Sequence, residues 1–271
     1  MMKHNTFRKK VEFNKIIIID SLSEKDYHSA TRLYEDVNVQ CDGEGVAYVN
    51  APDAESFRDV IQMIKDNFDP DINTGFKPII HIEAHGSAEH MRLADGSVIP
   101  WEELAEDLRC INRFMKNSLI VFIGTCFGFH FIYNNHSLNR FTPAYLCIAP
   151  KEKIDAVDVE RASQTFYRNL LSTGDITASA GKVDAKLFYT FNSDYIFHKA
   201  FHEAMLRGHK GKALQERKEK LLSQAILLMK DKWTQMSPEE KSDYLRKARS
   251  LFDCMVKNKG ALKAYFKRFS I

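Results

Sequence analysis

The chain has 271 residues, of which 44% are hydrophobic and 28% are charged, and its formal net charge is +3. These values are typical of a folded globular protein and exclude disordered and fibrous classes. No apolar run approaches the roughly 20 residues that a membrane-spanning helix needs, so we expect no membrane association.

The charge is unevenly distributed. Residues 201–271 carry 17 Lys and Arg against 8 Asp and Glu, a balance of +9, whereas the remainder carries 22 against 28, a balance of −6. We therefore predict a domain of residues 1–194 and a basic helical extension of residues 195–271, either docked on that domain or separate. The extension has no recognised nucleic-acid-binding motif, so nucleic-acid binding is not expected. A solvated helical bundle, docking to a regulatory partner and self-association are the alternatives for it.

The five cysteines are odd in number and their spacing matches neither a disulfide framework nor a CxxC zinc site. The basic N-terminus is followed by an apolar run of only four residues, which is too short for a secretory signal. We therefore expect a reducing, cytoplasmic location, where a free thiol persists.

Strands and helices alternate along the first two thirds of the chain. A β-branched run at residues 15–20 predicts the first strand. Residues 21–36 are predicted to form a helix with Ser23 and Asp26 at its capped start. The next predicted elements are a strand at 45–50, a helix opened by Pro52 and Asp53, and a strand at 78–84.

The alternation continues after a predicted hairpin at Asp95–Gly96. The remaining predicted elements are a helix at 101–114, a strand at 118–125, a helix that starts just after Cys126, a strand at 144–149, a helix at 157–171, a strand or connector at 186–191, and helices over 195–269. Breaks in these last helices are predicted near Gly208–Gly211, at Ser237–Pro238 and near Gly260. Such alternation predicts βαβ units, and hence an α/β sandwich with a mostly parallel central sheet.

Two of the predicted strands end on residues that can perform chemistry. The run from Pro78 ends at His85, which Gly86 follows, and the run from Ser118 ends at Cys126. In open α/β sheets the functional site lies at the carboxyl ends of the strands. A thiolate nucleophile with an imidazole base is the simplest arrangement for a cysteine hydrolase. The backbone N–H groups of Gly86 and Cys126 are the candidate oxyanion donors.

The thiolate requires stabilisation, which we expect from the N-terminus of the helix predicted after Cys126. No charged third member of a triad is evident from the sequence, so we expect a backbone carbonyl to orient His85. His81 and Glu83 share a strand face with His85, and packing is the favoured interpretation for both.

His85–Gly86 closing one strand and Cys126 closing the next resemble the caspase-like cysteine peptidases. The hairpin around Asp95–Gly96, followed by a helix from Trp101, is similar to an insertion in the bacterial CHAT-type members. The resemblance covers about residues 15–190. It implies a caspase-like fold, His85 as base, Cys126 as nucleophile, and neither a metal nor another cofactor.

The resemblance also implies a protein substrate and regulation, for example in stress response, cell suicide or anti-phage defence in bacteria. An activating protein partner is expected, and the oligomeric state is left open. Asp155 and Asp158 lie after the fifth predicted strand, where this family builds its S1 pocket, and could select a basic P1 residue.

The chain departs from the caspase pattern at Phe127, where polar or small residues are usual. A catalytically inactive caspase-like scaffold that acts by binding is therefore the alternative function. A metal-dependent hydrolase that uses His81, His85, His90 and Cys126 is a third interpretation, although these spacings match no strong zinc pattern.

Overall fold

The computed structural model describes residues 12–41, 45–68, 75–135, 140–197, 199 and 211–257. The strands are β1 (Lys15–Asp20), β2 (Val46–Asn50), β3 (Pro78–Glu83), β4 (His85–Gly86), β5 (His90–Arg92), β6 (Val98–Pro100), β7 (Ile120–Gly124), β8 (Leu146–Pro150) and β9 (Phe188–Asn192). The main sheet has the order β2-β1-β3-β7-β8-β9. Its strands pair in parallel except for β9, which is antiparallel to β8. The predicted α/β class with a mostly parallel sheet is thereby confirmed.

Helices flank this sheet. They are α1 (Ser29–Gln40), α2 (Ala54–Asp66), α3 (Trp101–Phe114), α4 (His130–Tyr133), α5 (Ala156–Thr173) and α6 (Ile176–Ala180). The connection from β1 to β2 runs in one direction along the sheet, and the connections from β2 to β3 and from β3 to β7 run in the other. Because such crossovers are right-handed, the helices of the two directions lie on opposite faces of the sheet. Accordingly, α1 packs with α5, and α2 packs with α3. The core beneath α1 and α5 includes Ile18, Phe122 and Phe166, all fully buried.

Local sequence explains the best-defined boundaries. The four isoleucines that begin at Ile16 are buried on both faces of the sheet, as expected for β1, an interior strand that lies between β2 and β3. Asp53 caps α2 by accepting from the Ser56 N–H, and the Ser56 hydroxyl lies against the Asp53 backbone in return. Helix α5 ends at Gly174, whose φ of +66° is the left-handed conformation that glycine adopts readily.

The predicted hairpin at Asp95–Gly96 is confirmed. It joins β5 to β6, and these two strands form a small antiparallel sheet with β4. The Trp101 indole N–H donates to the Ser87 carbonyl at 2.9 Å and ties α3 to this sheet. The small sheet therefore holds β4, and with it His85, in a fixed position beside the end of β3.

The predicted helix at residues 21–36 is wrong in its placement, because α1 begins at Ser29. Ser23 and Asp26 do bond to each other, but within a loop: Ser23 N–H and hydroxyl both donate to the Asp26 carboxylate. Side chains of this type offer the backbone a local alternative to helix. The chain consequently crosses the carboxyl edge of the sheet as a loop before α1 begins.

The chain divides between Ser193 and Asp194 into two compact units. The second unit contains α7 (Gly211–Leu228), α8 (Lys230–Gln235) and α9 (Pro238–Lys257). Lys218, 5% exposed, pairs with Asp253, and Arg249 binds Glu219 through two bonds of 2.9 Å.

The break predicted at Ser237–Pro238 is confirmed by the start of α9. The helical prediction for 258–269 and the break predicted near Gly260 lie outside the described residues. No helix among the described ranges is long and apolar enough to cross a membrane.

Candidate active site

His85 and Cys126 follow two neighbouring strands of the main sheet. Glu83, the last residue of β3, is paired in register with Gly124, the last residue of β7. His85 and Cys126 each come two residues after that pair. Because neighbouring strands lie about 4.8 Å apart, the topology brings the two residues to the same point of the carboxyl edge.

Gly86 is in direct contact with the turn that carries the thiol. A Cβ atom placed on Gly86 would lie 2.4 Å from the Cys126 carbonyl oxygen and 2.5 Å from the Thr125 methyl carbon Cγ2. Both distances are far below van der Waals contact, so only glycine fits here. The backbone of the histidine strand therefore lies directly against the backbone of the cysteine.

Cys126 stands at the corner of a tight turn. The Gly128 N–H donates to the Thr125 carbonyl at 2.9 Å, which makes Cys126 and Phe127 the two central residues. Phe127 has a φ of +57°, a conformation that a large side chain adopts at a cost of about 1–3 kcal/mol. The Phe127 N–H donates to the Glu152 carbonyl at 2.9 Å and holds this conformation. The turn projects the Cys126 side chain from the end of β7.

The helix expected just after Cys126 is wrong. Helix α4 begins at His130 and has only four residues, so the thiol does not lie at the start of this helix. The Ile154 N–H lies 3.5 Å from Sγ instead, and Sγ lies 3.6 Å from the Ile154 carbonyl oxygen. Within the described ranges, no hydrogen bond joins Sγ to His85.

A carboxylate holds the imidazole of His85, contrary to the expectation of a backbone carbonyl. The Asp26 Oδ2 lies 3.0 Å from the His85 Nε2. It also accepts from the Ser23 N–H at 2.9 Å and the Ser23 hydroxyl at 2.7 Å. Burial raises the pKa of Asp26, but the hydrogen bonds from Ser23 and His85 outweigh it, and the net pKa is lowered. An ionised Asp26 fixes the ring with Nε2–H as donor, which leaves Nδ1 as the proton acceptor.

The loop that carries Asp26 is clamped between α1 and α5. The Tyr27 hydroxyl donates to Glu160, and Arg32 donates to the same hydroxyl. The Arg32 guanidinium also lies over the Tyr27 ring, 4.5 Å from its centroid. The hydrogen bond to Glu160 is the main cause that raises the pKa of Tyr27. These contacts fix the backbone next to Asp26 and so fix the position of the carboxylate.

The two candidate oxyanion donors are the backbone N–H groups of Gly86 and Cys126. The Ser87 N–H donates to the His90 carbonyl at 2.9 Å, so in this antiparallel pairing the preceding residue, Gly86, directs its N–H away from β5. The Cys126 N–H has no hydrogen-bond acceptor in the described part of the chain. Both groups suit the oxyanion role that was predicted for them.

Asp155 and Asp158 lie at the start of α5. Asp155 is exposed, directly follows the residue that contacts Sγ, and makes no side-chain cap to its helix. Asp158 is half-buried and pairs with Arg161 at 3.0 Å. Of the two carboxylates, Asp155 is therefore nearer in sequence to Ile154, and Asp158 is the one that pairs with Arg161.

A buried polar chain lies under the site. His81 Nε2 lies 3.0 Å from Glu83 Oε1, the Ser29 hydroxyl donates to the other carboxylate oxygen, and the Tyr167 hydroxyl lies 3.3 Å from His81 Nδ1. His81, Glu83 and Tyr167 are at most 1% exposed. Burial, with a contribution from Glu83, raises the pKa of Tyr167 well above its usual value. This chain joins β3 to the first residue of α1 and to α5.

The ligand set considered for a metal is not assembled. Among the residues that the structure describes, no group of three or more His, Cys, Asp and Glu side chains is arranged to hold a metal ion. His81 instead stacks on Phe122 with ring centroids 4.9 Å apart. His81 is thus a buried residue that packs on Phe122, as the favoured interpretation predicts, and it also takes part in the buried polar chain.

No family model matches this chain. No curated protein matches it either. Among solved structures, the chain is similar to the Drosophila initiator caspase Dronc, with 10% sequence identity and a TM-score of 0.48 over 68% of this chain and 82% of that chain. So distant a likeness concerns the fold alone.

Proposed function

We propose that this protein is a cysteine endopeptidase with Cys126 as nucleophile and His85 as general base. The observation that carries the proposal is the contact of Gly86 with the Cys126 turn, which sets a histidine held by a carboxylate beside a cysteine at the corner of a turn. Nucleophile, base and orienting group then follow one another in the order that covalent catalysis requires.

The acylation step uses these groups in turn. His85 Nδ1 takes the proton of the Cys126 thiol, and the thiolate attacks the carbonyl carbon of the scissile peptide bond. The N–H groups of Gly86 and Cys126 stabilise the oxyanion that forms. Asp26 stabilises the imidazolium. Collapse of the intermediate breaks the C–N bond, and His85 returns the proton to the leaving amine.

Hydrolysis completes the cycle. His85 removes a proton from water, and the hydroxide attacks the thioester carbonyl carbon. The C–S bond breaks, the acyl part leaves as a carboxylic acid, and the Cys126 thiol is restored with the proton from His85. No redox partner is needed in either step.

We further propose a basic P1 residue, recognised chiefly by Asp155. Its exposed carboxylate lies next to the residue that contacts the thiol, whereas Asp158 shares its charge with Arg161. In the test, Asp155→Asn lowers the ratio of turnover between Arg and Gln at P1, and Asp158→Asn lowers it less. Equal ratios in all three proteins would remove Asp155 from this role.

The resting thiol supports a regulated enzyme. Its polar contacts are with the Ile154 backbone and not with His85, so a shift of the segment that contains Ile154 would release the thiol for proton transfer. A protein partner, a cleavage or self-association would supply that shift. On the resemblance of its motifs to CHAT-type peptidases, we propose a cytoplasmic role in bacterial stress response, cell suicide or anti-phage defence.

The same observation favours one second candidate, an inactive scaffold that acts by binding proteins. A thiol bonded to backbone and a large residue at Phe127 would be retained in a chain that had lost turnover. Reactivity of the thiol separates the two candidates.

The deciding experiment is labelling with a peptidyl electrophile at neutral pH, read by mass spectrometry. Cys254 is exposed and serves as an internal reference for intrinsic thiol reactivity. We expect Cys126 to react faster than Cys254, and His85→Ala to abolish the difference while His90→Ala preserves it. Equal labelling of both cysteines, also after addition of candidate protein partners, would favour the scaffold.

A further inference from the structure

Phe127 occupies a position where glycine would be free of strain. It is the third residue of the turn that presents Cys126, and its φ is +57°. Turns with positive φ at this position take Gly or Asn in most proteins. Its carbonyl accepts from the His130 N–H at 2.9 Å, so the backbone is fixed on both sides of the residue. A large side chain kept under strain at a functional site points to a role for that side chain.

The Phe127 ring is available to a ligand. Phe127 is half-buried, and its ring meets His130 edge-on, with centroids 5.9 Å apart and an interplanar angle of 82°. Such edge contact covers one part of the ring, and the residue that directly follows Cys126 is thus not fully enclosed by the protein. Phe129 and Tyr189, 4.7 Å apart between centroids, add aromatic surface at the same edge of the sheet.

We infer that Phe127 is a specificity-determining residue that selects a bulky apolar side chain at P2 or P1′ of the substrate. The inference rests on the proposed peptidase function and deepens it. Phe127 directly follows the nucleophile, so a substrate bound at Cys126 places the residues that flank P1 within reach of its ring. Burying an apolar side chain against the ring favours substrates that carry one. The carboxylate of Asp155 and the ring of Phe127 would thus bind neighbouring side chains of one peptide substrate.

The test compares peptides that differ only at P2 or P1′, with either Leu or Ala there and the P1 residue that wild type cleaves fastest. We expect wild type to favour Leu over Ala in kcat/KM by about tenfold or more at one of the two positions. Phe127→Gly and Phe127→Asn both accept positive φ, so the turn is kept while the ring is lost. In both variants the ratio should fall towards one, because the Leu peptide loses the advantage that the ring gives it.

Phe114→Ala is the matched control, because Phe114 is 53% exposed and precedes the start of β7, at the opposite edge of the sheet. It should leave the ratio unchanged. A wild-type enzyme that cleaves peptides with no preference for Leu, or glycine and asparagine variants that keep the preference, would overturn the inference and leave the peptidase proposal intact. If wild type showed no turnover of any peptide and no selective labelling of Cys126, both the inference and the peptidase proposal would be overturned.

Discussion

The substitution Gly86→Ala tests the contact on which the proposed site depends. The added Cβ would lie 2.4 Å from the Cys126 carbonyl oxygen, where ordinary contact begins at 3.4 Å. The overlap of about 1 Å is with backbone on one side and the Thr125 methyl group on the other. The backbone carbonyl cannot rotate away as a side chain can, so β4 and the cysteine turn must separate by roughly that amount.

Such a separation has two measurable effects. Overpacking of this size costs about 1–3 kcal/mol of unfolding free energy, which urea titration would show as a lower midpoint. A displacement of about 1 Å between base and nucleophile lowers reactivity by about 100-fold. We therefore expect the labelling rate of Cys126 in Gly86→Ala to fall by that factor while the protein remains folded.

Gly75→Ala is the matched control. A Cβ there would meet no atom within 4 Å, so stability and labelling should both match wild type. If Gly86→Ala labelled at the wild-type rate with an unchanged urea midpoint, the two backbones would not be in contact. The assignment of His85 and Cys126 to one site would then fail.

Three further outcomes are expected. Asp26→Asn should lower the labelling rate of Cys126 at least about tenfold. Because the pKa of Asp26 is lowered in the folded protein, its carboxylate should stabilise the fold above the unfolded pKa of about 4, and this contribution should disappear as pH falls through the folded pKa. The unfolding free energies of wild type and Asp26→Asn should therefore converge in acid. Glu83→Leu should cost about 1–3 kcal/mol or more in urea titration, since it leaves buried polar atoms of His81 and Ser29 without this hydrogen-bond partner, and an unchanged stability would contradict the buried chain. Tyr167→Phe removes only one hydroxyl from that chain and should cost about 1 kcal/mol, with labelling of Cys126 as in wild type.

The sequence was most informative where pattern and local chemistry agree. The β-branched run of β1, the hairpin at Asp95–Gly96 and the helix at Trp101–Phe114 have the predicted positions. In each, the signal lies within a few residues and requires no distant partner. The predicted class of sheet followed from the order of these elements.

The errors arose where one local pattern has two solutions. Ser23 and Asp26 fit a helix cap, but the same side chains also stabilise a loop, and contact with His85 favours the loop. After Cys126 the aromatic residues were interpreted as a helix, whereas positive φ at Phe127 makes a turn. After Cys126 the structure depends on the backbone conformation of Phe127 alone, and the spacing of hydrophobic residues gives no information on that conformation.

Asp26 was missed as the partner of His85 because 59 residues separate them. One signal was present: both residues follow parallel strands that the fold places side by side, β1 and β3. Pairing polar residues across neighbouring strand ends, after the strand order is assumed, would have identified this carboxylate.

The separation of these segments along the chain bears on how the protein is made. Asp26, Cys126 and Ile154 come from loops after β1, β7 and β8, and His85 comes from the short strand β4 that follows β3. Each of these residues depends on the strands before it. During synthesis the orienting carboxylate and the base emerge well before the cysteine. The Ile154 backbone that contacts the thiol follows it by only 28 residues. A nascent chain thus holds carboxylate, base and nucleophile as soon as Cys126 has left the ribosome, and the residue that contacts the resting thiol follows shortly after. The order of the elements limits the time in which a reactive cysteine is exposed in an unfinished protein.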